Sequence, residues 1–121
     1  MRKNICDVRL HPMTLSDTFR NPFRLGTVEV AGNSMSPTYQ PGDWLLVRWA
    51  TLFEEGDTVV IEREERPGIF LIKRFLRYED GKCWVEGDSE ASTDSRQWGA
   101  IPKEEIVAKV LFRIRRNSEI H

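Results

Sequence analysis

From Leu25 onward the chain is cut into short β-prone runs by turns rich in Gly, Pro and Asp, and this punctuation limits the fold more than any other feature. The runs are Thr27–Ala31, Trp44–Trp49, Thr58–Arg63, Gly68–Tyr78, Lys82–Glu86 and Ile106–Ile114. Between them stand Pro41-Gly42-Asp43, Gly56-Asp57, Arg66-Pro67-Gly68 and Asp80-Gly81. Short strands so closely spaced predict a mainly β fold, a single-domain folded antiparallel sheet or barrel with little helix. Two strands are entered by the same kind of turn, Pro41-Gly42-Asp43 before Trp44 and Glu55-Gly56-Asp57 before Thr58. Pro102-Lys103-Glu104-Glu105 reads as one helical turn, with Pro at its first position and acids following.

Residues 1–24 lack this pattern and read as an N-terminal tail or arm, residues 25–116 as the β domain and 117–121 as a C-terminal tail. Pro12 and Pro22 rule out a long helix in the arm, although Met13–Phe19 has room for a turn or two. What the arm does is open: it is free to cover a cleft, pack on the barrel or bind a partner. No stretch reaches the roughly 18–20 apolar residues that span a bilayer, so no transmembrane anchor is expected. The first 25 residues carry polar and charged side chains throughout, unlike a secretory signal. A cytoplasmic protein is the expectation.

Net charge is −1, with 31% charged residues, which gives no reason to expect nucleic acid as a partner. Arg113, Arg115 and Arg116 read as a solvated end. Cys6 and Cys83 are expected to be free thiols in a reducing compartment, and no Cys/His spacing suits a metal. No metal or cofactor is expected.

Gly32-Asn33-Ser34-Met35-Ser36-Pro37-Thr38 follows a predicted strand. Gly32 and Pro37 restrict the backbone around Ser34, on a bend where a main-chain N–H can face a developing oxyanion. Taken alone, the segment reads more readily as a turn without chemistry. A serine nucleophile needs a base, and the two histidines, His11 and His121, lie in the arm and at the last position. A Ser-His-Asp triad therefore does not fit. The remaining base is a lysine, which must be neutral to accept the proton.

Lys73 is the candidate, within Ile69-Phe70-Leu71-Ile72-Lys73-Arg74-Phe75-Leu76. Strand alternation puts Leu71, Lys73 and Phe75 on one face and Ile72, Arg74 and Leu76 on the other. Burial between apolar neighbours lowers a lysine pKa. At the ordinary value of ~10.4 only about 1 lysine in 2,500 is neutral at pH 7, whereas at ~8 it is roughly 1 in 11. Alternation does not say which face is buried, and a snorkelling lysine is the bland alternative. Arginine stays protonated, so of the pair only Lys73 can serve as a base.

Several segments together resemble the successive boxes of type I signal peptidases. They are Ser34-Met35-Ser36-Pro37-Thr38, Gly42-Asp43, Gly56-Asp57-Thr58-Val59-Val60, Ile72-Lys73-Arg74 and the run from Gly87 to Gly99 containing Ser92, Asp94-Ser95-Arg96 and Trp98. The resemblance covers about residues 28–112 and implies the β fold shared with self-cleaving repressor peptidases. It implies a serine endopeptidase with Ser34 as nucleophile, its own N–H in the oxyanion hole, and Lys73 as general base. It makes Ser92 the residue that orients Lys73, and Asp94 with Arg96 a charged pair bracing the site. It places Met35, with Gly32 and Pro37 beside it, at the substrate cleft. Gly32 stands where some members supply a hydroxyl to the oxyanion hole.

With no anchors and no large insertion after Lys73, the chain is similar to a short soluble branch, the maturation protease of nickel superoxide dismutase. That similarity implies a precursor protein as partner and removal of its N-terminal leader. Other readings are a membrane-associated signal peptidase-like enzyme and a non-catalytic β-barrel module presenting Trp44, Trp49, Trp84 and Trp98. A self-cleaving repressor would normally carry a DNA-binding helix-turn-helix, which the stretch before Ser34 does not offer.

Overall fold

The computed structural model describes residues 7–10 and 24–116. Cys6, His11, the Met13–Phe19 stretch and the tail 117–121 lie outside the described residues. Among the described residues seven strands form one antiparallel sheet: β1 (Val8–Leu10), β2 (Leu25–Val30), β3 (Trp44–Trp49), β4 (Thr58–Glu62), β5 (Phe70–Glu79), β6 (Lys82–Glu86) and β7 (Ile106–Arg115). Their order is β1-β2-β3-β7-β4-β5-β6. The fold is thus mainly β, as the turn punctuation requires. A short helix α1 (Ser95–Trp98) and a 3-10 turn (Lys103–Glu105) complete it.

Local chemistry explains the hairpins. Asp80 and Gly81 both adopt positive φ, the geometry of a two-residue turn that matches strand twist, and they join β5 to β6 with Glu79 opposite Lys82. Register shifts interrupt β3–β7, β4–β7 and β5–β6. Such bulges bend strands and strengthen twist. The sheet curls until its first strand meets β5: the Asp7 N–H donates to the Phe70 carbonyl at 2.8 Å.

The curl encloses two apolar clusters. One holds Val8, Val28, Val30, Met35, Leu45, Val47, Val60, Ile72, Ala108 and Val110. The other holds Val59, Ile61, Leu71, Phe75, Cys83, Val85, Ile101 and Ile106. Cys83 is a free thiol whose pKa burial pushes up. Trp49 packs on the first cluster and Trp98 on the second. β5 runs between them, with Leu71, Ile72, Lys73 and Phe75 all buried.

Residues 7–10, which the sequence placed in an arm ahead of residue 25, run as an edge strand beside β2. Val8 pairs with Val30 and Leu10 with Val28. Three residues give too short a run for periodicity to reveal.

Candidate active site

Ser34 leaves the end of β2 on a turn closed by Ser36 N–H to the Asn33 carbonyl at 3.0 Å and Tyr39 N–H to the Met35 carbonyl at 2.9 Å. The Ser36–Pro37 peptide is cis. The Ser34 carbonyl accepts from the Ser89 N–H at 2.9 Å, tying this turn to the loop after β6. Among the described residues no hydrogen bond engages the Ser34 N–H, so that donor is free to meet an oxyanion. The hydroxyl is buried and lies within reach of two acceptors, Asp7 Oδ2 at 2.9 Å and the Ile72 carbonyl at 3.0 Å.

Lys73 stands on β5 opposite Val59 and is 2% exposed. Its neighbour Arg74 points elsewhere, with a two-pronged contact to Asp88 at 2.9 and 2.7 Å. Lys73 Nζ donates to Ser92 Oγ at 2.8 Å. Burial lowers the Lys73 pKa from that of an ordinary lysine, while the negative charges of Asp7 and Asp94 work against that shift.

Behind Ser92 the chain turns into α1. Asp94 caps this helix, accepting from the Arg96 N–H at 3.1 Å, while Gln97 reaches back to the Asp94 N–H at 2.8 Å. The Arg96 guanidinium grips the same carboxylate at 2.9 and 2.7 Å, and the Gly87 N–H adds a bond at 2.8 Å. Burial alone would raise the Asp94 pKa. The bonds from Arg96, Gly87 and Ser92 outweigh it and hold the carboxyl at about 2. Asp94 is fully buried, while its partner Arg96 reaches solvent. Gly87 is required by close approach: a Cβ there would collide with the Ser92 side chain and lie 2.5 Å from the Ser34 carbonyl oxygen.

The structure thus brings Ser34, Lys73, Ser92, Asp94 and Arg96 together. It does not bring the proposed cleft residues with them. Met35 is fully buried in the first apolar cluster and walls no cleft, because the turn directs it into the core. Pro37 is exposed on the turn, and Gly32, lacking a side chain, lies against Asp7 instead. The cleft, of about 420 Å³, is lined by Asn33, Ser34, Leu71, Lys73, Ser89 and Ser92, among others. Its far wall includes Arg63 and Trp98, with the Arg63 guanidinium 4.7 Å from the centre of the Trp98 ring and Arg63 Nε bound to the buried Glu105 at 2.6 Å.

Asp7 is the site residue that sequence reasoning missed. Its Oδ2 accepts from Ser34 Oγ, from the Ile72 N–H at 3.0 Å and from Lys73 Nζ at 3.2 Å. Among the described residues no hydrogen bond joins Ser34 Oγ directly to Lys73 Nζ; Asp7 Oδ2 stands between them. An aspartate in an aperiodic stretch, 27 residues before the serine, carries no sequence signal for this position.

The family model described as Peptidase S24-like matches residues 7–111, a span that takes in every residue of this constellation. The chain belongs to the Peptidase S24-like family. Relatives of this S24-like chain include subunit 2 of the mitochondrial inner membrane protease of Schizosaccharomyces pombe, 29% identical over 90% of this chain and 74% of that protein. Subunit 1 of the mouse mitochondrial inner membrane protease is 30% identical over 74% of this chain and 69% of its own length. The human subunit 1 matches with the same identity and coverage. Membership makes the chain a serine-type, signal peptidase-like enzyme acting on a protein substrate. Among the described residues no helix is long and apolar enough to cross a membrane.

Proposed function

We propose that this S24-like peptidase is an endopeptidase that removes an N-terminal leader from a precursor protein, with Ser34 as nucleophile and Lys73 as general base. The observation that carries this reading is Lys73 itself. It is 2% exposed, its Nζ bonds to Ser92 at 2.8 Å, and burial disfavours its charged form. A lysine prepared in this way can take a serine proton.

In the reaction, Ser34 Oγ forms a bond to the scissile carbonyl carbon while its proton passes to Lys73 Nζ. The oxyanion is met by the Ser34 N–H. The C–N bond then breaks, and Lys73 gives the proton to the leaving amine. Water attacks the resulting ester, again losing a proton to Lys73. The ester bond breaks, and that proton returns to Ser34 Oγ. Ser92 holds Nζ throughout, and its own hydroxyl is oriented by Asp94.

The substrate we propose is the precursor of nickel superoxide dismutase, processed in the cytoplasm. Support comes from sequence resemblance, in the Gly42-Asp43-Trp44-Leu45-Leu46-Val47-Arg48-Trp49 run and the Glu86-Gly87-Asp88 to Gly99 ending. Wild type and Ser34→Ala are incubated with dismutase precursor carrying its leader, and the products are weighed by mass spectrometry. Leader loss with wild type alone is expected; identical products from both proteins would refute the peptidase chemistry.

The names of the relatives favour a second reading, an enzyme that meets its substrate at a membrane. Co-sedimentation of the purified protein with liposomes would support it, and recovery entirely in the supernatant would count against it.

A further inference from the structure

The segment Asp7–Leu10 closes one side of the cleft at the serine–lysine pair, with Asp7 on its wall, and it does so in two independent ways. Its backbone uses the hydrogen-bonding edges on both sides of the segment. The Asp7 carbonyl accepts from the Ala31 and Gly32 N–H groups at 2.7 and 3.1 Å, and the Asp7 N–H donates to Phe70 on β5 at 2.8 Å. β1 continues antiparallel along β2. An extended peptide that reached Ser34 by adding a strand would need these same edges.

Its side chain occupies the reacting centre. Asp7 Oδ2 lies 2.9 Å from Ser34 Oγ and 3.2 Å from Lys73 Nζ. A carboxylate so close favours the ammonium form of Lys73, which has no lone pair to accept a proton. The Ser34 proton meanwhile points to Asp7 or to the Ile72 carbonyl. Burial still leaves the Lys73 pKa below that of an ordinary lysine, but the Ser34 hydroxyl is turned to acceptors other than the lysine.

The fit is built into the domain. Val8 is fully buried in the same apolar cluster as Met35, and Leu10 packs against that cluster. Gly32 leaves room for the carboxylate, since a Cβ there would stand 2.9 Å from Asp7 Oδ1.

We propose that Asp7–Leu10 is an autoinhibitory arm: it holds the strand edges of β2 and β5 beside the open cleft, with Asp7 plugged between Ser34 and Lys73, and it must leave before a precursor can be cleaved. This rests on the reading of Ser34 and Lys73 as the catalytic pair. Displacing β1 would uncover the edges of β2 and β5 together with part of the cluster around Met35.

The test uses the full chain and an internally quenched peptide with alanines on both sides of its centre. Wild type is compared with Asp7→Asn, which removes the charge but keeps the shape, and with Leu10→Glu, which loosens the arm without touching the site. Each is also made with Ser34→Ala added, and circular dichroism checks the fold. Both arm variants are expected to raise kcat/KM by about tenfold or more, the effect of removing ground-state competition for one groove. Ser34→Ala should abolish the gain. Unchanged or lower turnover in the folded arm variants overturns the proposal, and so does a total lack of turnover. A fall with Asp7→Asn alone would make Asp7 a helper of the reaction and overturns it equally. If neither arm variant folds, β1 is a structural strand and the inhibitory role is lost. If turnover persists with Ser34→Ala, the serine–lysine reading fails whatever the arm does.

Discussion

Lys73 has a carboxylate on each side, and the two are held in opposite ways. Asp94 lies behind it, beyond Ser92, on a helix cap fully inside the domain. Its charge is met locally by two bonds from the Arg96 guanidinium and by the Gly87 and Arg96 N–H groups. Asp7 lies in front, on a three-residue edge strand, and the cation it meets is Lys73 itself. The first carboxylate is saturated by the frame and orients the site from outside the reaction. The second bonds directly to Ser34 Oγ and Lys73 Nζ, the atoms of the proposed reaction. Where a carboxylate finds its partners therefore decides whether it supports a site or fills it.

The largest effect expected from breaking this arrangement comes from their shared neighbour. Lys73→Met keeps length and apolar packing but removes the amine. Peptide hydrolysis should fall by about a thousandfold or more, measured as kcat/KM, with the circular dichroism spectrum unchanged. On the proposed mechanism the same lysine sets the pH dependence of the wild type. Its pKa is lowered by burial, so the neutral base becomes available below the ordinary lysine range. Activity should rise with pH along a limb whose midpoint lies under 10.5. A pH-independent rate across that range would remove Lys73 from the base role.

A smaller effect separates the two carboxylates by stability. Asp94 is held at about 2, below its ordinary value of 3.8, so the folded state binds its proton less readily than the unfolded chain. The stability this contributes is complete above pH 3.8 and is lost as pH falls through about 2. Asp94→Asn should cost about 2 kcal/mol at neutral pH, through loss of the charge-assisted bonds that Arg96, Gly87 and Ser92 make to the buried carboxylate. In a domain of this size that lowers Tm by roughly 10 °C. Asp7→Asn should lower Tm by less, since it removes a charge held by an edge strand. Equal losses at both positions would erase the distinction between frame and plug.

How much of this was legible depends on how far each feature is written into local sequence. Strands Trp44–Trp49 and Lys82–Glu86 were readable to the residue, because turns bound them on both sides. Lys73 was readable as a candidate because Leu71 and Phe75 flank it on one strand face. Alternation could not say that this face is buried, since that depends on how the sheet curls. The helix Ser95–Trp98 gives little sequence signal: four residues are too few for periodicity, and the capping box of Asp94 and Gln97 precedes no apolar run. Met35 looked like a cleft residue by family position, yet the turn sends it into the core. Asp7 was illegible because its role comes only from a pairing 65 residues away with Ile72 and 27 away with Ser34.

The smallest expected effect sharpens what holds the arm. Arg9 on β1 approaches Glu29 on β2 at 3.9 Å, with the arginine side chain 63% exposed. At that distance and exposure, screening and side-chain entropy leave an ion pair worth roughly 0–0.5 kcal/mol. The interactions of Asp7 and Val8 are of another kind, buried and short, with backbone bonds at 2.7 and 2.8 Å to both neighbouring edges. Arg9→Ala should therefore leave urea-induced unfolding within about 0.5 kcal/mol of wild type. It should also leave peptide turnover unchanged, in contrast to Leu10→Glu one residue along. A marked rise in turnover with Arg9→Ala would mean that the surface charge, not the buried carboxylate and strand edge, keeps β1 in place.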